Sequence, residues 1–236
     1  MGKGINGLLV KAFGGSDYRL TVTSNRAITD HYVRVGFTGG GLLADHPVHP
    51  TQWIRLWIPL DGGKGAVHQR GYTLVDQDAA ADTFDIEFAI HDGAAARWAQ
   101  SAAPGDEIEA SVLGSKFEVP DPLPSEFVIF GDTASLPAIN TLLDAVGDVP
   151  ARVWLEWQHE SDKGLPVHAR PSAEITWVER TGNGQGLIDA ADQMSCKPDA
   201  FAWIACDGAT TRSITKTVKT THGLSKTAVK AQAYWK

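Results

Sequence analysis

Four short strings carry the side chains whose types and spacing could do chemistry. Arg70-Gly71-Tyr72-Thr73 sets a guanidinium fork, which matches phosphate oxygens, beside an aromatic face and a hydroxyl. His91-Asp92-Gly93-Ala94-Ala95-Ala96-Arg97-Trp98 leads small residues into an alanine-rich run. A helix starting there exposes backbone N–H groups and a positive dipole end, which together attract an anion. Gly131-Asp132-Thr133-Ala134-Ser135 follows the apolar run Phe127–Phe130, at the strand end where open α/β sheets bind ligands; Asp132 or Thr133 serving only as a helix N-cap fits equally well. The fourth string runs from Trp203 through Cys206, Asp207 and Arg212, and ends at Tyr234-Trp235. Phosphate, hydroxyl and planar-ring contacts are what a dinucleotide would use, although each string alone also reads as an ordinary strand or helix start.

The elements that must position these strings change character halfway along the chain. Tyr18–Thr23, His31–Phe37, Gln52–Ile58 and Thr83–Ile90 alternate apolar and polar residues, the period of half-buried strands. Turn-formers at 39–41, 59–65 and 76–78 separate them, and the string at Arg70 is expected where a barrel strand begins. After the proline-studded stretch 120–125, strands at Phe127, Arg152, Glu174 and Phe201 alternate with helices expected over 134–146, 186–194 and 209–222, and Ala228 onward reads as an edge strand. The expectation is an N-terminal antiparallel six-stranded barrel over residues 1–122 and a small open parallel-sheet α/β domain over 123–236.

Composition narrows the function. The chain has 236 residues, 43% of them hydrophobic, and a net charge of −7, which speaks against nucleic acid as a partner. It holds no apolar run long enough for a membrane span, and Met1–Gly7 lacks the apolar stretch of a secretory signal. Two cysteines, Cys196 and Cys206, in no metal or redox spacing favour a reducing compartment, so a cytoplasmic monomer is expected. His46, His49, His159 and His168 lack further ligands for a metal, and the eight tryptophans are expected mostly in the core. From Gly208 onward there are six basic residues and no acidic one. Arg212, Lys216 and Lys219 share one helix face, which reads either as an anion site or as a solvated surface.

The four strings together, in this order, resemble the siderophore-interacting protein family, FAD-containing ferric-siderophore reductases with a ferredoxin-reductase-like fold. The likeness runs from about Asn25 to Trp235. It implies that Arg70, Gly71, Tyr72 and Thr73 hold the flavin, and that His91, Gly93, Ala94, Ala96 and Trp98 surround its pyrophosphate. It further implies that Asp132, Thr133 and Ala134 face the cofactor, that Trp235 matches the family's final aromatic, and that Arg212, Lys216 and Lys219 receive the anionic ferric siderophore or a nucleotide phosphate. Ala94 replaces the family's proline, and Cys206-Asp207 stands where the family has Gly-Glu, so a cysteine side chain is expected to narrow the nicotinamide space. No G-x-G-x-x-G turn occurs within residues 123–236, which leaves NAD(P)H and a ferredoxin-like protein both open as electron donor. A non-catalytic siderophore-binding protein using the same basic groove, and an interaction module without ligand, are the alternative readings.

Overall fold

The computed structural model describes residues 15–60 and 66–236. The chain's first residues and most of the turn expected over 59–65 lie outside the described residues. The chain divides into two compact units between Phe117 and Glu118.

Alternation builds the first unit. Strands β1 (Ser16–Thr29), β2 (Tyr32–Thr38), β3 (Trp53–Pro59), β4 (Val67–Asp78), β5 (Thr83–Ala89) and β6 (Glu107–Val112) close into an antiparallel barrel of order β1-β2-β5-β4-β3-β6. Closure pairs every strand on both sides and so removes exposed edges. Phe84, Ile86 and Phe88 of β5 point inward and meet Val33, Val35 and Phe37 of β2 and Ile54, Leu56 and Ile58 of β3 in one core. Register shifts in β1, between Val22 and Ser24 and between Ala27 and Thr29, give the long strand the bends that closure requires. The string at Arg70 lies inside β4 and not at its start, because pairing with β3 already begins at Val67 opposite Pro59. A single-turn helix, α1 (Leu42–Asp45), buries Leu42 and Leu43, and α2 (Ala94–Ser101) packs Ala95 and Ala99 onto the same core.

The second unit is a parallel sheet of order β11-β10-β7-β8-β9, formed by β7 (Phe127–Asp132), β8 (Ala151–Trp157), β9 (Ala173–Glu179), β10 (Phe201–Ala205) and β11 (Val229–Ala231). Every residue of β7 and β10 is buried, as expected of central strands covered on both faces. Helices α4 (Gln185–Gln193) and α5 (Gly208–Thr220) cover one face with Leu187, Ala191, Ile214 and Val218. Helix α3 (Leu136–Val146) approaches the end of β7 so closely that a Cβ on Gly131 would stand 2.5 Å from Cδ1 of Ile139, which explains the glycine there. This helix begins two residues later than the sequence suggests, because Asp132 and Ser135 spend their polar groups on a turn. After β7 the chain builds β8 and β9 to one side and then returns to lay β10 on the other. The carboxyl ends of β7 and β10 therefore form a topological switch point, the usual ligand position in open α/β sheets. Of the eight tryptophans only Trp57 and Trp203 are buried; the others are half-buried, so most are not interior core residues as expected.

Candidate functional site

In the barrel unit, β4, β5 and α2 bring several of the expected residues together. Tyr72 packs against Phe88 with ring centroids 4.4 Å apart, and Phe88 in turn meets Trp98 of α2 at 6.1 Å. Trp98 also lies nearly parallel to Phe37, at 6.3 Å and 9°. These rings join the Arg70 string to the helix of the His91 string. Burial pushes the Tyr72 phenol far up, so it stays protonated throughout the physiological range. Next to it, Thr73 is buried, and among the described residues its hydroxyl has no hydrogen-bond partner. A buried hydroxyl left alone is costly and needs a bonding partner.

Helix α2 supplies the second feature. Its N-cap is Gly93, and among the described residues no side chain caps that end, so the first-turn N–H groups have no side-chain acceptor. The His91 ring folds back so that its Nδ1 accepts the Gly93 N–H at 2.9 Å, and a Cβ on Gly93 would sit 2.2 Å from that ring. At the other end the Asn25 amide donates to the carbonyls of Ala99 and Ala102, at 2.8 and 2.6 Å, tying the last turn to β1. Asn25→Ala should therefore lower stability by about 1–2 kcal/mol, two modest hydrogen bonds at a helix end, and urea denaturation would show it. Arg70 is exposed and, among the described residues, donates to the neighbouring carbonyl of Gln69, while its charge opposes the burial-driven rise of the Tyr72 pKa.

In the second unit the expected residues Asp132 and Trp235 meet directly at the switch point. The Trp235 indole N–H donates to Asp132 Oδ2 at 2.7 Å, across 103 residues of sequence. Asp132 also accepts the Ser135 backbone N–H at 3.0 Å, while the Asp132 carbonyl accepts the Ser135 hydroxyl. Main-chain bonds seat the segment around Trp235: Gln232 N–H to Ile204 O and Tyr234 N–H to Cys206 O, each 2.9 Å, and Gly208 N–H to Trp235 O, also 2.9 Å. Thr133 is half-buried and Ala134 exposed.

Sequence reasoning missed two members of this site. Glu156 ends up beside Asp132 because β7 and β8 pair in register there. Arg180, just past β9, forms a close ion pair with Glu156, lies 3.7 Å from Asp207 Oδ2 and holds its guanidinium carbon 4.7 Å over the Trp235 ring. A glutamate in the buried strand Ala151–Trp157 was the available signal, since a buried carboxylate needs a cation. Burial raises the Glu156 pKa, Arg180 pulls it down, and Asp132 and Asp207 push it up again. Burial likewise raises Asp132 against the pull of the Trp235 and Ser135 hydrogen bonds and of Arg180. Asp207 is held below its usual value: burial opposes this, but N–H donors of Thr210 and Ala209 at the start of α5, and Arg180, overcome it.

Cys206 does not narrow the sheet edge in the expected way. Its side chain is fully buried in the core, its sulfur is 3.4 Å from the Thr211 hydroxyl, and burial pushes its pKa up to about 12. Arg212 and Lys216 are exposed and Lys219 half-buried along α5, opposite the buried Ile214 and Val218. Among the described residues none of these three cations has a carboxylate partner, so their charge remains available to an anion.

The sequence pattern of siderophore-interacting proteins matches residues 124–236, and that of the siderophore-interacting FAD-binding domain matches residues 28–112. The chain is 32% identical over 240 residues to the mycobactin import ATP-binding/permease protein IrtA of Mycobacterium tuberculosis; the match takes in 100% of this chain but 28% of that protein's length. Among solved structures, the siderophore-interacting protein of Acinetobacter baumannii superposes with a TM-score of 0.82 at 20% identity, covering 94% of this chain and 90% of that one. A ferredoxin NADP+ reductase from Neisseria gonorrhoeae with bound FAD and NADP gives 0.64 at 14%, covering 94% and 99%. The two structural likenesses establish the shared ferredoxin-reductase-like fold. Among the described residues no helix is long and apolar enough to cross a membrane.

Proposed function

Because this chain belongs to the siderophore-interacting protein family, we propose that it is an FAD-dependent oxidoreductase that reduces ferric siderophores in the cytoplasm and so releases iron as Fe(II). The observation that carries the reading is the coincidence, in one barrel, of a buried hydroxyl (Thr73) and a helix start (Gly93 to Ala96) that have no side-chain partner among the described residues, with an aromatic wall (Tyr72 on Phe88). A ring system with hydroxyls and a pyrophosphate attached would complete all three.

In this reading Tyr72 offers the ring face, Thr73 gives its hydroxyl to a polar atom of the cofactor, and the N–H groups of Ala94 and Ala96 receive phosphate oxygens. Arg70 is exposed, has no carboxylate partner among the described residues, and would turn toward the same phosphates. Within the second unit, the family resemblance assigns cofactor contacts to Asp132, Thr133, Ala134 and Trp235, and Arg212, Lys216 and Lys219 would collect the anionic ferric chelate. Bound FAD would supply the electron relay, filled by NAD(P)H or a ferredoxin-like protein and emptied singly to Fe(III). Siderophore oxygen ligands hold Fe(III) far better than Fe(II), so reduction loosens the metal without any acid–base group of the protein. The relatives named for mycobactin import make ferric mycobactin the first substrate to test.

Purified protein should be yellow or take up added FAD, bleach under anaerobic NADH, NADPH or reduced ferredoxin, and recolour on mixing with a ferric siderophore while Fe(II) appears. Failure to hold FAD at micromolar concentration sinks the enzymatic reading. Siderophore binding by such colourless protein would instead favour a carrier.

One substitution separates cofactor binding from folding. Thr73→Val keeps the shape of the side chain but removes the lone hydroxyl. Stability without cofactor should hold or rise by about 1–3 kcal/mol, the penalty of a buried unsatisfied group. FAD affinity should fall about tenfold, the worth of one hydrogen bond in binding. Equal losses of stability and affinity would assign Thr73 a purely structural role.

A further inference from the structure

The switch-point cluster sets one cation among three carboxylates, and all of them converge on one indole. Arg180 leaves the edge strand β9, yet its side chain is only 16% exposed. Its guanidinium is pinned by Glu156 from β8, neighbours Asp207 at the start of α5, and lies over the Trp235 ring, whose N–H is taken by Asp132 from β7. Two acceptor oxygens here, Glu156 Oε1 and Asp207 Oδ2, have no hydrogen-bond partner among the described residues. Arg180 is thus the cation that offsets the three carboxylates, and it also supplies a flat surface to the ring.

We propose that Arg180 is the positioning residue of Trp235: its plane, held by Glu156, sets the tilt of the indole whose N–H donates to Asp132. Its charge also pulls the Asp132 pKa down against burial. The side chains facing the ring and its acceptor are Asp132, Glu156, Asp207 and Arg180, with the neutral thiol of Cys206 behind them and Arg212 beside Gly208. A fixed indole plane is a prepared surface for a planar ring. That use of it, for the flavin, rests on the function proposed above; the positioning itself does not.

The test is the indole N–H resonance of Trp235 in cofactor-free protein, assigned by its loss in Trp235→Phe. In the native chain it should be protected and should titrate as one of a coupled set, above the ordinary carboxylate range. Arg180→Met should move the titration midpoint further up and speed exchange of this N–H about tenfold, a loss of roughly 1.4 kcal/mol of protection. Arg180→Lys, which keeps the charge but not the plane, should restore the midpoint and leave the resonance displaced. Should Arg180→Met fail to fold, Glu156→Gln, which frees one side of the guanidinium, should displace the resonance in the same direction. An unchanged Trp235 resonance in both Arg180→Lys and Glu156→Gln would overturn the proposal. A signal that follows Arg180 but ignores added FAD would support the positioning and overturn the cofactor reading alone.

Discussion

Arg180→Leu should lower the stability of the second unit by about 3–5 kcal/mol near neutral pH, the usual penalty for removing one partner of a buried ion pair. The side chain that remains, Glu156, is almost fully buried, and its Oε1 already lacks a hydrogen-bond partner among the described residues. Leucine can fill part of the space but offers no proton. The loss should depend on pH, and its sign follows from the direction of the shifts. Asp132 and Glu156 have native pKa values above their unfolded ones, mainly through burial, with Arg180 pulling both down. Over the window from the ordinary carboxylate range up to the raised values, the native chain binds more protons than the unfolded chain, so these two groups reduce stability as pH rises. Taking Arg180 away raises both values further and widens that window. The deficit of Arg180→Leu should therefore be largest at about pH 8 and shrink toward about pH 5, where the carboxyls take up protons. Urea midpoints of both proteins at the two pH values decide it: near pH 8 the variant should fall roughly 2 M lower, for a slope of about 2 kcal/mol per molar. A deficit that is pH-independent, or under about 1 kcal/mol, would contradict the charge-compensation account.

Phe88→Ala should be as damaging to the barrel, by about 3–5 kcal/mol, because it opens a cavity in a core that cannot collapse to fill it. Phe88 is 1% exposed on β5 and touches both Tyr72 and Trp98. Two aromatic contacts, each worth about 0.5–1.5 kcal/mol beyond area, vanish with it. The wall offered by Tyr72 loses its backing, so FAD affinity should fall by about tenfold or more even where the variant stays folded. Phe88→Leu separates these effects: it fills most of the volume, so most of the stability should return, while the ring contact that orients Tyr72 does not. Urea denaturation and flavin titration on the two variants check this. Full recovery of FAD affinity in Phe88→Leu would mean that Tyr72 does not depend on Phe88 for its orientation.

Much of the architecture was legible because it is local. Alternating side chains in Thr83–Ala89 and the unbroken apolar run Phe127–Phe130 reveal which faces are buried, and prolines at 120–124 mark the change from one pattern to the other. Element limits were less legible where partners set them: β4 starts before Arg70 because β3 offers residues to pair with, and α3 starts late because Asp132 and Ser135 bond each other first. The thiol of Cys206 lies in the core because the strand direction of β10 carries its even-numbered residues to that face.

The sequence by itself determined the order of the strings, the period of each strand and the two-part plan, since turn chemistry and hydrophobic spacing act over a few residues. Only the tertiary structure decided that Glu156 stands beside Asp132, that Arg180 spans Glu156 and Asp207 to reach Trp235, and that Asn25 holds the last turn of α2. Those meetings depend on strand order and register, and a parallel sheet joins residues at its carboxyl edge whose separation in the chain carries no signal. Local chemistry names the candidates; sheet register chooses the neighbours that give them charge, orientation and a bonding partner.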